Sequence, residues 1–145
     1  MTEREQLLQI IKTKALKIGQ FKLAHGGISN FYLNSKEVLA DPAGAYLTGR
    51  LILESIGDEE VDAIGGIVLG AVPIATAVTV LSYQQNNPIP SFYVRKQPKG
   101  RGVNAEIEGY LPLPGSCVVI VEDVVTTGTS TPRTCVNLSS RPSRS

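Results

Sequence analysis

Histidine and cysteine are nearly absent from this chain: one histidine, His25, and two cysteines, Cys117 and Cys135, stand among 145 residues. The cysteines lie in unlike contexts without metal-type spacing, which suits a reduced, cytosolic compartment and offers no persuasive nucleophile. An excess of one charge is missing too. The formal net charge is +1 with 19% charged residues, so no basic field points to a nucleic-acid partner, and small molecules fit better. Between Asp62 and Arg95 there is no Asp, Glu, Lys or Arg at all. That stretch is still not a membrane span, because Gly65, Gly66, Gly70, Pro73 and the Gln84-Gln85-Asn86-Asn87 cluster cut it into pieces too short to cross a bilayer. No Gly-x4-Gly-Lys-Ser/Thr occurs, which removes the Walker A nucleotide loop. The opening Met1-Thr2-Glu3-Arg4-Glu5 is polar and mixed in sign, unlike a signal peptide. The length suits one domain with a real core.

What is present reads as alternating helices and strands. Thr2 with Glu5 forms a capping-box pattern, and Leu7, Leu8, Ile11, Ala15 and Leu16 follow at helical spacing. Phe21-Lys22-Leu23 and Asn30-Phe31-Tyr32-Leu33-Asn34 flank His25-Gly26-Gly27, predicting a β-hairpin with a glycine-permitted turn. Asp41-Pro42 opens a second helix that Gly57 can stop, weakened by Gly44 and Gly49. Residues 61–67 suit a buried strand, Pro73 starts a helix through Leu81, and 91–95 form the next strand. Such alternation implies an α/β fold with a parallel sheet. The turn Gly65-Gly66-Ile67-Val68-Leu69-Gly70-Ala71-Val72-Pro73 has two readings: backbone amides that meet a pyrophosphate, or glycines that let helix and strand pack closely.

The densest chemistry lies at Val118-Val119-Ile120-Val121-Glu122-Asp123-Val124-Val125-Thr126-Thr127-Gly128-Thr129-Ser130. Four consecutive apolar residues suit a parallel strand covered on both faces, and ligands of such sheets sit at the strands' carboxyl ends. The loop beyond offers hydroxyls and an unobstructed glycine amide, as a phosphate nest requires. The acids can hydrogen-bond sugar hydroxyls or attract a hydrated cation. This segment resembles the phosphoribosyl-pyrophosphate motif of the type I phosphoribosyltransferases. The resemblance implies a central parallel sheet flanked by helices, with an N-terminal hairpin as a hood.

Residues 96–106, Lys96-Gln97-Pro98-Lys99-Gly100-Arg101-Gly102-Val103-Asn104-Ala105-Glu106, are basic and lack apolar periodicity, and a mobile loop is expected there. Its cations suit a departing pyrophosphate, although a solvated surface run has the same composition. With Arg95 and the following Ile107-Glu108-Gly109, it looks like the catalytic loop of the orotate phosphoribosyltransferases. The hairpin, from Phe21 to Asn34, is similar to theirs as well, which argues against a purine or uracil relative.

That resemblance implies transfer of ribose 5-phosphate from phosphoribosyl pyrophosphate to orotate, giving orotidine 5′-phosphate and pyrophosphate in pyrimidine (UMP) biosynthesis. It implies Lys96 and Lys99 as catalytic, with Arg95, Lys96, Lys99 and Arg101 on the pyrophosphate. Glu122 and Asp123 would face the ribose hydroxyls, and Asp123 would reach Mg²⁺ through water. Val124, Val125, Thr126, Thr127, Gly128, Thr129 and Ser130 complete the sugar-phosphate site, with Thr126 also touching orotate. A cytoplasmic homodimer follows, its loop acting on the neighbouring subunit. Where the family commonly has a loop histidine, this chain has Arg101, which cannot transfer a proton. His25 lies in the hairpin and suits a structural or carboxylate-contact role. Some members carry a lysine where this chain has Ala24.

Residues 131–145 are rich in Ser, Arg and Pro and resemble nothing in the family. The expectation is a phosphoribosyltransferase domain over 1–130 lacking its C-terminal strands, then a disordered tail produced by a frame change or premature stop. An impaired enzyme follows, with a non-catalytic phosphoribosyl-pyrophosphate-binding module, or another nucleobase phosphoribosyltransferase, as the alternative.

Overall fold

The computed structural model describes residues 1–24, 26–96 and 105–124. Expectations for His25, for Lys99 and Arg101, for 125–130 and for the tail 131–145 lie outside the described residues.

The chain opens with α1 (Glu3–Ile10), capped by Thr2 and Glu5 in a reciprocal capping box. One wide turn, Ile11–Ala15, ends it. Leu16 is not the last residue of this helix, as its spacing suggested, but the first of β1 (Leu16–Lys22). It pairs with Leu33 of β2 (Ile28–Leu33), and the hairpin ladder outweighs a helical continuation that would bury nothing beyond Ala15. At the hairpin's tip, Gly26 and Gly27 have φ of 90° and 91°, a region that disfavours any side chain.

Two helices follow. The short α2 (Ser35–Leu39) was not foreseen. Then α3 (Pro42–Ile56) starts on Asp41, whose carboxylate accepts from the Gly44 amide at 2.9 Å, with Pro42 in the first turn, and stops at Gly57. Gly44 and Gly49 do not merely weaken α3. A β-carbon at Gly44 would overlap the Val38 carbonyl, and one at Gly49 would lie 3.1 Å from the Ala77 backbone, so both permit close packing.

The central sheet contains β3 (Ala63–Ile67), β4 (Ser91–Lys96), β5 (Ala105–Gly109) and β6 (Val118–Ile120) in the order β5-β4-β3-β6. Strand β3 is parallel to both β4 and β6, as expected. The sheet is mixed, however, because β5 runs antiparallel to β4. Ala105 and Glu106, expected in the loop, instead pair with Lys96 and Arg95. Lys96 likewise belongs to β4, because backbone pairing overrides the polar composition from which a loop was read. Helix α4 (Ala71–Gln84) begins two residues before Pro73, which fits the first turn because its missing N–H has no partner to lose there.

Alternation along the strands feeds two cores. Ile64 and Val121 join Ile56, Ile74 and Val78 beneath α3 and α4. Ala63, Phe92, Val94 and Ile107 form the opposite core, with Val118 and Ile120 against it. The unbroken apolar run 118–121 is thereby explained: odd positions serve one core and even positions the other. Among the described residues β6 is an edge strand. No helix of the described residues is long and apolar enough to cross a membrane.

Candidate active site

Strand β6 delivers two acids to the carboxyl end of the parallel sheet. The Val121 amide donates to the Gly65 carbonyl at 2.8 Å, so the chain is still tied to β3 one residue before Glu122 and Asp123. The β3–α4 turn lies alongside, with its Val68–Leu69 peptide cis. The glycines expected in this turn divide by role, and Gly65 and Gly66 lie within β3 itself. A β-carbon on Gly65 would lie 2.7 Å from the Phe92 ring and overlap the Phe92 carbonyl, and one on Gly66 would overlap the Val121 carbonyl. These two serve packing. A β-carbon on Gly70 would instead overlap the Asp123 carboxylate, so Gly70 is part of the acid site.

Asp123 is held from two further directions. The Ser35 hydroxyl donates to its Oδ2 at 3.1 Å, and Lys36 Nζ lies 3.6 Å from the same oxygen. Its side chain is only 11% exposed, whereas that of Lys36 is 62% exposed, so the hydroxyl contact is the better shielded of the two. Burial pushes the Glu122 carboxyl upward, the side-chain hydrogen bond and charge of Asp123 push it further, and the Asp123 backbone amide, followed by the Lys96 cation, draws it partly back.

Arg95 is placed differently. Phe92 and Val94 face one core while Tyr93 packs towards the other, so within β4 Arg95 and Lys96 project from opposite faces of the sheet. Arg95 Nε lies 3.6 Å from Glu108 Oε1 on β5, and both side chains are exposed. Of the described site residues, the structure thus brings together Glu122 and Asp123, with Lys96 at the end of β4 acting on Glu122 through its charge alone. Val124 follows them and is exposed. Lys99, Arg101 and the run Val125, Thr126, Thr127, Gly128, Thr129 and Ser130 lie outside the described residues.

Sequence reasoning missed Ser35, Lys36 and the site role of Gly70. A five-residue helix is too short for periodicity to reveal. The available signal was Asn34 with Glu37 three residues on, a helix-start spacing, and Asn34 Nδ2 does donate to Glu37 Oε1 at 3.2 Å.

Beyond Gly70 and Lys36 opens a cleft of ≈ 680 Å³ lined by Leu39, Tyr46, Leu69, Pro73 and Val80. Its apolar walls offer little to a phosphate.

No protein-family model matches the chain. It is 46% identical over 133 residues to the orotate phosphoribosyltransferase of Aquifex aeolicus, covering 90% of this chain and 72% of that protein. Its structure is similar to that of Mycobacterium tuberculosis H37Rv orotate phosphoribosyltransferase in complex with Fe(III) dicitrate, with a TM-score of 0.78 and 30% identity over 94% of this chain and 76% of the other. The same enzyme in complex with 5-phospho-α-D-ribosyl 1-diphosphate superimposes with a TM-score of 0.74 at 28% identity, over 94% and 74%. The expected type I phosphoribosyltransferase fold is therefore the observed one, and with this identity across most of a curated relative the chain belongs to the orotate phosphoribosyltransferase family.

Proposed function

We propose that this chain transfers the ribose 5-phosphate group of phosphoribosyl pyrophosphate to orotate, releasing pyrophosphate and forming orotidine 5′-phosphate for pyrimidine biosynthesis. The observation that carries this reading is the acid pair Glu122–Asp123 beside Gly70 at the carboxyl ends of two parallel strands, in a chain 46% identical to an orotate phosphoribosyltransferase.

Breaking the ribose C1–O bond develops positive charge on the sugar and negative charge on the departing pyrophosphate. Glu122 and Asp123 accept hydrogen bonds from the ribose hydroxyls, and 125–130 hold the 5′-phosphate, with Thr126 touching orotate. Lys96 and Lys99 stabilise the departing oxygens with Arg101 on the pyrophosphate, and Arg95, paired with Glu108, contributes longer-range attraction. Two neighbouring carboxylates, with the charge of one felt by the other, form a donor set that fits Mg²⁺, which commonly binds one or two carboxylates plus substrate phosphates. Bound there, the ion would neutralise pyrophosphate charge. The residues 97–104 between β4 and β5 exclude water that would hydrolyse the activated sugar.

The working form is a homodimer in which each loop serves the neighbouring site. Its support is the apolar cleft together with Tyr46, Leu69, Val80 and Tyr83, all exposed in the single chain. Analytical ultracentrifugation tests it: a single 15.5 kDa species at enzymatic concentrations argues against this assembly. The exposed free thiol of Cys117 fits a cytoplasmic setting. Residues 1–130 form the catalytic unit, and 131–145 stand outside it on composition.

The test of the reaction is a spectroscopic assay of orotate loss with phosphoribosyl pyrophosphate and Mg²⁺. Consumption dependent on both substrates supports the transfer. Binding of the sugar phosphate without consumption would favour a non-catalytic module, a reading to which the replacement of a titratable loop histidine by Arg101 lends weight.

A further inference from the structure

The hairpin and the sugar-phosphate motif are far apart in sequence yet share one contact. Ser35, the first residue of α2 directly after β2, bonds to Asp123 across 88 residues of chain. The entry to α2 is itself anchored: the Asn34 amide donates to the Ala15 carbonyl at 3.0 Å, and the Asn34 side chain donates to Glu37. Ser35 is consequently held by backbone and side-chain bonds made on both sides of the hairpin's base.

We propose that Ser35 is a positioning residue, whose hydroxyl holds Asp123 in the orientation from which the carboxylate meets the ribose. This rests on the ribose-binding role of Asp123 given above. With Oδ2 engaged by Ser35 and Lys36, the oxygen left for a ligand is Oδ1, which lies against Gly70 in the space that any β-carbon there would take from it. The long, exposed Lys36 adds attraction but cannot fix an angle. A hydroxyl on a short side chain, bonded to a largely buried carboxylate, can. The device also couples the hairpin to the strand-end acids, since displacement of the base of β2 moves Ser35.

The test compares Ser35→Ala and Ser35→Thr with the unaltered 145-residue chain by calorimetric titration with phosphoribosyl pyrophosphate in Mg²⁺, thermal melting and carboxyl ¹³C NMR. The Asp123 resonance is assigned by its loss in Asp123→Asn. A hydrogen bond to a charged group of this kind predicts roughly tenfold weaker binding for Ser35→Ala, recovery to within about twofold for Ser35→Thr, and a displaced Asp123 resonance only in the alanine variant. Unchanged affinity and an unmoved resonance in Ser35→Ala overturn the proposal. So does weaker binding accompanied by a lower melting temperature in both variants, which marks a merely structural residue. Should the unaltered chain bind no phosphoribosyl pyrophosphate, the ribose-binding reading fails. The Asp123 resonance then decides the positioning role alone, and an unmoved signal rejects it.

Discussion

Two glycines five residues apart, Gly65 within β3 and Gly70 at the start of α4, are expected to respond oppositely to the same substitution, Gly65→Ala and Gly70→Ala. At Gly65 the new methyl meets the Phe92 ring at 2.7 Å and the Phe92 carbonyl, on a strand whose side chain is wholly buried at that point. Neither neighbour can move without opening the β3–β4 pairing, so the cost lies near the upper end of the overpacking range, about 3 kcal/mol. For a domain of this size that corresponds to a fall in Tm of about 10 °C. At Gly70 the obstruction is the end of a side chain, the Asp123 carboxylate, which can rotate away. The stability loss should then be about 1 kcal/mol, one hydrogen bond to Ser35. The carboxylate leaves its position, however, and affinity for phosphoribosyl pyrophosphate should fall by about tenfold or more, matching the loss of one charge-assisted contact. Thermal denaturation by circular dichroism, paired with calorimetric titration, reads both quantities. If Gly65→Ala melts within about 2 °C of the parent, a shift below about 1 kcal/mol, the packing account of the turn is wrong. If Gly70→Ala binds the sugar phosphate normally, Asp123 does not work from the observed orientation.

Three further outcomes follow from the charges. Glu122 titrates above its usual range, so between the unfolded value near 4.5 and the folded value the native state holds the extra proton; stability contributed by this group falls as pH rises through that window and is level above it. Asp123→Asn should lower the Glu122 midpoint in carboxyl NMR titrations, and an unmoved midpoint would contradict the contact between the two acids. Asp41 behaves in the opposite sense, because its bonds to Lys14 and the Gly44 amide hold it below 3.8. Its contribution is present above that value and lost as pH falls through the folded midpoint; Lys14→Ala should raise that midpoint, and failure to do so would remove Lys14 as the main cause. Finally, Lys99→Ala should lower kcat by about a hundredfold, as loss of a group stabilising charge in the transition state does, whereas Arg95→Ala, paired with Glu108 at the sheet edge, should lower it by less than about tenfold. Steady-state kinetics on both variants would expose a reversed order.

Much of the framework was legible because local chemistry and global packing agreed. Asp41, Pro42 and Gly57 mark the ends of α3 through cap and stop preferences that do not depend on neighbours. The run 118–121 announced a strand with two covered faces, and its residues do alternate between two cores. Leu16 was misassigned because the i, i+4 pattern that places it on a helix is equally served by a first strand rung opposite Leu33. Strand β5 was hidden because Ala105 and Glu106 carry no apolar signal, their pairing being made by backbone groups. For the turn 65–73 the sequence offered packing or ligand contact as alternatives for the whole stretch. The folded chain divides it, giving Gly65 and Gly66, both in β3, to packing and Gly70 to the acid site. Ser35 could not be read at all, since its partner lies 88 residues away and only the folded chain brings them together.

The central claim is most directly tested by mass spectrometry of the products formed by the 145-residue chain from orotate, phosphoribosyl pyrophosphate and Mg²⁺. Equal amounts of orotidine 5′-phosphate and pyrophosphate are predicted. Pyrophosphate accompanied only by free ribose 5-phosphate, or no product despite saturating substrates, would contradict the transfer.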